Sequence, residues 1–166
     1  MKSRLVFKKG RLFFAKHPSH VIFVSKKVLR WLKPLSNRIE IAGSIRRKEP
    51  KPFDIDLVLI PKDKNKIIEF LKTKGKFLQG GDKRASFKIK GVRVELYFTT
   101  PESWGATLLA YSSRLGPAIG LRIFAKRKGL KLNQYGLFRN GKLIAGKTER
   151  EIYEALGKKY KLPWLR

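Results

Sequence analysis

Apolar and basic residues alternate over 5–16 around Lys8-Lys9-Gly10, which predicts a basic hairpin at the edge of the fold. Val21, Val24, Val28 and Leu32 then recur at helical spacing, predicting a helix over 21–33 that Pro34 stops. A short strand over 38–42 runs into Gly43, and a second strand follows over 54–60. In that second strand Ile55, Leu57 and Leu59 share one face while Asp54 and Asp56 share the other. A helix over 65–74 is expected to close on Gly75.

Lys90-Gly91 separates two further strands, 84–89 and 92–98, as a two-residue hairpin turn. The turn sets the register: Ile89 opposite Val92 and Phe87 opposite Val94. Val92, Val94, Leu96 and Phe98 then face the core, leaving Arg93 and Glu95 on the other side. If 54–60 and 92–98 are neighbours, Asp54, Asp56 and Glu95 converge on one polar patch. Beyond residue 100 the pattern turns helical. Thr100-Pro101 opens a helix to about Tyr111, and Pro117 opens another that ends in Lys126-Arg127-Lys128 before Gly129. Asn140-Gly141 marks a hairpin, and Thr148 with Glu151 forms a capping box for a last helix ending near Leu156-Gly157. The natural boundary is near residue 100, giving segments 1–100 and 101–166 of an α+β chain.

Charge changes the picture. The chain has 166 residues, with 40 Lys and Arg against 12 Asp and Glu, a net charge of +28. Such an excess is costly in self-repulsion, and a polyanionic partner relieves it, nucleic acid before an anionic membrane surface. No apolar stretch is long enough to span a bilayer and no signal-peptide pattern opens the chain. The absence of cysteine excludes disulfides, thiolate zinc sites and cysteine catalysis, and points to an intracellular, reducing compartment.

Against that basic background, two of the four aspartates sit one residue apart. Same-face carboxylates with a third from a neighbouring strand suit a two-metal site, whose ions stand roughly 3.5–4 Å apart. Gly43-Ser44 and Arg47, just upstream, offer donors for the phosphates such ions accompany.

Gly43-Ser44-x-x-Arg47, Asp54-x-Asp56 and Arg93-x-Glu95 together resemble the nucleotidyltransferase palm of the family X DNA polymerases. The resemblance runs from about Val21 to the end. Ala110-Tyr111-Ser112-Ser113 stands where the family has its Tyr-Phe-Thr-Gly element, and residues 129–138 are similar to its C-terminal subdomain. The implied fold is a palm, a mixed or antiparallel sheet with helices on one face, followed by a small helical-plus-hairpin C-terminal subdomain for nucleotide and template. By this resemblance Asp54, Asp56 and Glu95 bind two Mg²⁺ ions, with Mn²⁺ as a substitute. Gly43, Ser44 and Arg47 grip the triphosphate, Tyr111, Ser112 and Ser113 pack against the incoming sugar, and Arg122 contacts the template. Asn133 and Tyr135 also match the family pattern, either as a DNA contact or as a turn packed on the core.

The implied activity is that of a minimal, monomeric polymerase adding deoxynucleotides to a primer 3′-hydroxyl in gapped or primed DNA. Lys8, Lys9, Arg11 and Lys16, with Arg93 and with Lys126, Arg127 and Lys128, are the candidate phosphate contacts. His17 and His20 are expected at the surface or facing DNA. Some 40 residues precede the palm, too few for the family's lyase domain, so no lyase activity is expected. Four departures from the family pattern stand out: Glu95 replaces an aspartate, Phe53 a glycine, Ser113 a glycine and Ala110 an aromatic residue. Two alternatives share these residues. One is a nucleotidyltransferase acting on RNA or without a template; the other is a DNA-end-binding module with weakened catalysis.

Overall fold

The computed structural model describes residues 4–8 and 11–166, with the side chains of 6, 8 and 11–13 outside that description. Strands β1 (Arg4–Lys8) and β2 (Arg11–Ala15) pair antiparallel as the expected hairpin, and Lys9 lies outside the described residues. Helix α1 (Pro18–Leu32) starts earlier than its apolar spacing indicates, because Pro18 occupies its first turn and His17 caps it: His17 Nδ1 accepts from the Ser19 N–H. Val21, Val24, Val28 and Leu32 are fully buried.

Strand β3 (Ser36–Ile41), helix α2 (Gly43–Arg46), strand β4 (Asp54–Pro61), helix α3 (Lys64–Lys72) and strands β5 (Lys76–Gly80), β6 (Arg84–Ile89) and β7 (Val92–Phe98) follow. They build a five-stranded sheet in the order β3-β4-β7-β6-β5. The central pair β4–β7 is parallel and the other pairs are antiparallel, so the sheet is mixed. Lys90 and Gly91 both take positive φ, 49° and 77°, and the β6–β7 register is the expected one, Ile89 opposite Val92 and Phe87 opposite Val94. Ile55, Leu57 and Leu59 of β4 and Val94 and Leu96 of β7 are fully buried in one core with α1 and α3.

Gly75 departs from expectation. It does not take the left-handed conformation of a helix terminator. A Cβ there would lie 2.5 Å from the Lys88 carbonyl, so glycine is needed for the close approach of the α3–β5 connection to β6.

Past residue 100 the chain forms a 3-10 turn at Pro101–Ser103, then helices α4 (Trp104–Ser112) and α5 (Leu115–Arg127). Strands β8 (Lys131–Asn133), β9 (Gly136–Arg139) and β10 (Lys142–Ala145) make a small antiparallel sheet before helix α6 (Glu149–Ala155). The Asn140-Gly141 hairpin and the Thr148–Glu151 capping box are both present. Leu109, Ala125, Leu130, Leu137, Ile152 and Leu156 form a second core.

The reading of helices on one face of the large sheet holds for α1 and α3 only. The opposite face carries α4, whose Trp104 and Leu108 pack on Ala42 and Val58. Gly105 permits a tight contact between α4 and the start of α6, since a Cβ there would lie 2.1 Å from the Thr148 carbonyl carbon.

Candidate active site

The parallel pairing of β4 with β7 puts Asp54 beside Arg93 and Asp56 beside Glu95, and β6 adds Ser86 on the far side of Glu95. Period two then sends these side chains away from the α1–α3 core. A cavity of about 380 Å³ opens over Asp54 and Asp56, walled by Gly43, Ser44 and Arg47 from the α2 segment, Phe53, Tyr97, and Ala110 and Tyr111 of α4. Phe7 of the N-terminal hairpin and Glu49 complete its rim. Arg4 holds that hairpin by donating to the Lys51 and Pro52 carbonyls, just before Phe53.

Gly43 sets the geometry of the floor. Its φ is +60°, and a Cβ would fall 1.9 Å from Asp56 Oδ2, so only glycine lets α2 start against this carboxylate. The Ser44 hydroxyl, buried at the same turn, has no hydrogen-bond partner among the described residues. An orphaned donor in a cavity is a ready contact for a ligand oxygen. Arg47 Nε donates to Glu49 Oε1 at 2.9 Å, and Arg114 Nε lies 3.5 Å from the same carboxylate.

Tyr97 O–H donates to Asp56 Oδ1 at 3.2 Å, and its ring stacks on Tyr111 at 3.5 Å between centroids. Burial, followed by the charges of Asp56 and Glu95, pushes the Tyr97 hydroxyl far above the usual phenol range, so it stays a donor. Burial also raises Tyr111.

The other expected site residues are less gathered. Glu95 is buried at the register position next to Asp56, yet its carboxylate accepts from the Ser86 hydroxyl and from Arg93 Nε. Among the described residues no three His, Cys, Asp or Glu side chains are grouped to hold a metal ion. Ser112 is fully buried, its hydroxyl without a hydrogen-bond partner among the described residues, and Ser113 donates to the Leu109 carbonyl. Ser113 lines a smaller crevice with Arg122 and Asn133, so of the three sugar-contact candidates Tyr111 alone reaches the main cavity. Asn133 Oδ1 accepts from the Tyr135 N–H at 2.8 Å, a local turn bond, and Tyr135 itself is 39% exposed.

Lys126 and Arg127 are exposed at the end of α5, whereas Lys128 Nζ donates to the Leu156 carbonyl and so ties α5 to α6. Arg93 is half exposed. His20 Nε2 bonds the Lys90 carbonyl, an anchor for the β6–β7 turn. The side chains of Lys8, Lys9 and Arg11 lie outside the described residues.

Sequence reasoning missed Tyr97, Glu49, Phe7 and a buried ion cluster. Arg46, at the end of α2, makes a forked pair with Glu149 of α6 at 2.7 and 2.8 Å, and also bonds Glu40 at 3.0 Å. Arg166 and the Tyr160 hydroxyl add further bonds to Glu149, at 2.6 and 3.2 Å. Burial acts to raise the Glu149 carboxyl, but the hydrogen bonds and charges of Arg46 and Arg166 outweigh it and hold the group below its usual value. Arg46 ends α2 and Arg47 is its C-cap, and the two guanidinia go to different carboxylates, Glu149 and Glu49.

Over 145 residues, 80% of this chain and 83% of the relative, the sequence is 31% identical to repair DNA polymerase X of African swine fever virus (isolate Pig/Kenya/KEN-50/1950). The chain belongs to the family X DNA polymerases. Residues 118–166 of this family X chain match the DNA polymerase beta thumb model. A shorter stretch of 71 residues, 43% of the chain and 12% of the relative, is 37% identical to DNA polymerase IV of Saccharomyces cerevisiae. No helix among the described residues of the family X chain is long and apolar enough to cross a membrane.

Proposed function

We propose that this chain is a template-directed DNA polymerase that fills short gaps, adding a deoxynucleotide to a primer 3′-hydroxyl. One observation carries the reading: a single cavity collects Asp54 and Asp56, the orphaned Ser44 hydroxyl, Arg47 and Tyr111. The names of its viral relatives, repair DNA polymerases, agree with it. In this reading residues 1–100 are the palm with its basic extension and 101–166 the nucleotide- and template-binding subdomain, each with its own core.

The donor set fits a hard divalent cation such as Mg²⁺, with Asp54 and Asp56 as the carboxylate ligands. Such an ion, when bound, neutralises the triphosphate and eases loss of the primer hydroxyl proton. Glu95 occupies the position of a third ligand, but its bonds to Ser86 and Arg93 do not fit that part as they stand. Ser44 donates to a phosphate oxygen, and Arg47 turns from Glu49 to the triphosphate. Tyr97 orients Asp56 by its hydrogen bond, and Tyr111 packs on the sugar.

A second reading, a DNA-binding module with weakened catalysis, is favoured by the engagement of Glu95 with Arg93. Extension of a one-nucleotide-gapped duplex, assayed in Mg²⁺ and in Mn²⁺, separates the two. Incorporation of the complementary nucleotide supports the polymerase. Duplex binding without incorporation in either metal supports the module, and incorporation that ignores the templating base supports an untemplated transferase.

A further inference from the structure

Helix α1 carries no acidic residue, and its solvent side is basic, with Lys26 and Arg30 exposed. Phe23, Lys27 and Trp31 recur every fourth residue along it, a stripe that begins in solvent and ends against the core. Phe23 is 55% exposed. Lys27 Nζ lies 5.4 Å from the Phe23 ring centre and 5.9 Å from that of Trp31. Beside it, α3 and the turn after it supply Phe70, edge-on to Trp31 at 6.3 Å, and Lys74, which lies 5.7 Å from the Trp31 ring and 5.1 Å from Phe70. The result is a continuous row in which ammonium groups alternate with aromatic rings. Glu69, the nearby acid on α3, is already paired with Lys72 at 2.7 Å.

This row is on the far side of the large sheet from the Asp54–Asp56 cavity, because α1 and α3 cover the face that Ile55, Leu57 and Leu59 share. The cavity chemistry has no use for it. Aromatic rings interleaved with lysines are the surface that single strands use, bases stacking on rings while the cations follow the phosphates. A duplex hides its base faces and would leave the rings unused.

We propose that the α1–α3 face is a second nucleic-acid site, taking single-stranded DNA, with Phe23 as its exposed stacking platform and Lys27 and Lys74 as phosphate contacts. The site is independent of nucleotidyl transfer at the cavity. It lets the chain hold an unpaired strand while the cavity side engages a gap.

The test is anisotropy of a labelled oligodeoxythymidylate on the full chain across a salt series, with unlabelled gapped duplex present in saturating amount. Oligonucleotide binding is expected to survive the competitor. Phe23→Ala is expected to weaken it about fivefold or more with the salt slope unchanged. A Lys27→Gln/Lys74→Gln double variant is expected to lower the slope by about 1.4, at roughly 0.7 per phosphate contact on a single strand. Because Phe23 and Lys74 are exposed, thermal melting of both variants should match wild type. Complete displacement by the duplex, or wild-type binding by both variants, overturns the proposal. So does loss of binding to phosphatidylserine vesicles with oligonucleotide binding intact, which would assign the face to a membrane surface.

Discussion

Gly43 is the residue on which the cavity floor depends. Its positive φ and the 1.9 Å approach of a Cβ to Asp56 Oδ2 mean that Gly43→Ala must displace the carboxylate or unwind α2. Displacing a reacting group by an ångström costs on the order of 10²-fold, so incorporation should fall by about that factor in steady-state single-nucleotide assays. Melting should show a loss of about 1–3 kcal/mol from the strained backbone. Asp54 and Asp56 stand out in the sequence because carboxylates are scarce in so basic a chain, and Gly43-Ser44 and Arg47 only by their spacing to them. Tyr97 was not legible: alternation puts it on the face of Arg93 and Glu95, but its bond to Asp56 depends on the pairing of β4 with β7. Glu95 was legible as to position but not as to partners: strand period fixes which face a side chain takes, and Arg93 and Ser86 decide where it bends.

Alternation and turn chemistry were enough to recover β4, β6, β7, β9 and β10 and the Lys90-Gly91 and Asn140-Gly141 turns, where positive φ has a distinctive residue signature. Helix α2, four residues long, has too few turns to show a period, and β5, exposed along its whole length, has no apolar face to mark it. The pairing of β4 with β7 is the element-level fact that makes the site, and no local pattern encodes it. Long-range contacts also explain why the Arg46–Glu149 pair was missed, its partners being 103 positions apart in sequence. This pair joins α2, at the cavity wall, to α6. Glu149→Gln leaves the buried Arg166 and the half-buried Arg46 undercompensated and should cost about 3 kcal/mol in denaturant unfolding at neutral pH. The Glu149 carboxyl is held below its ordinary value of 4.5 in the folded chain. Its contribution is therefore complete above that value and is lost as pH falls through the lower folded one. The gap between wild type and variant should narrow on acidification below about pH 4.5, and a constant gap would argue against an ionised Glu149. Gly105→Ala, which drives a methyl into the Thr148 backbone, should separate α4 from α6 and destabilise the chain by about 1–3 kcal/mol, read as a lowered melting temperature.

A net charge of +28 makes the whole molecule a polycation. With 6–10 phosphate contacts, affinity for gapped duplex should drop by about 10³–10⁵ between 50 and 200 mM salt, and a titration across that range measures it. Charge alone pointed to a polyanionic partner, and family membership was legible from the spacing of a few polar residues. The spatial order of the sheet, the close seating of α4 on it and the aromatic-basic row on α1 and α3 required the fold. The central claim is that the Asp54–Asp56 cavity performs nucleotidyl transfer on a DNA primer. Single-turnover extension of a one-nucleotide-gapped duplex, with wild type and Asp56→Asn compared at equal duplex occupancy, addresses it most directly. The account predicts templated incorporation by wild type and a loss of at least about 10²-fold in Asp56→Asn with duplex affinity unchanged. Equal incorporation by both proteins, or none by wild type in either Mg²⁺ or Mn²⁺, would contradict it.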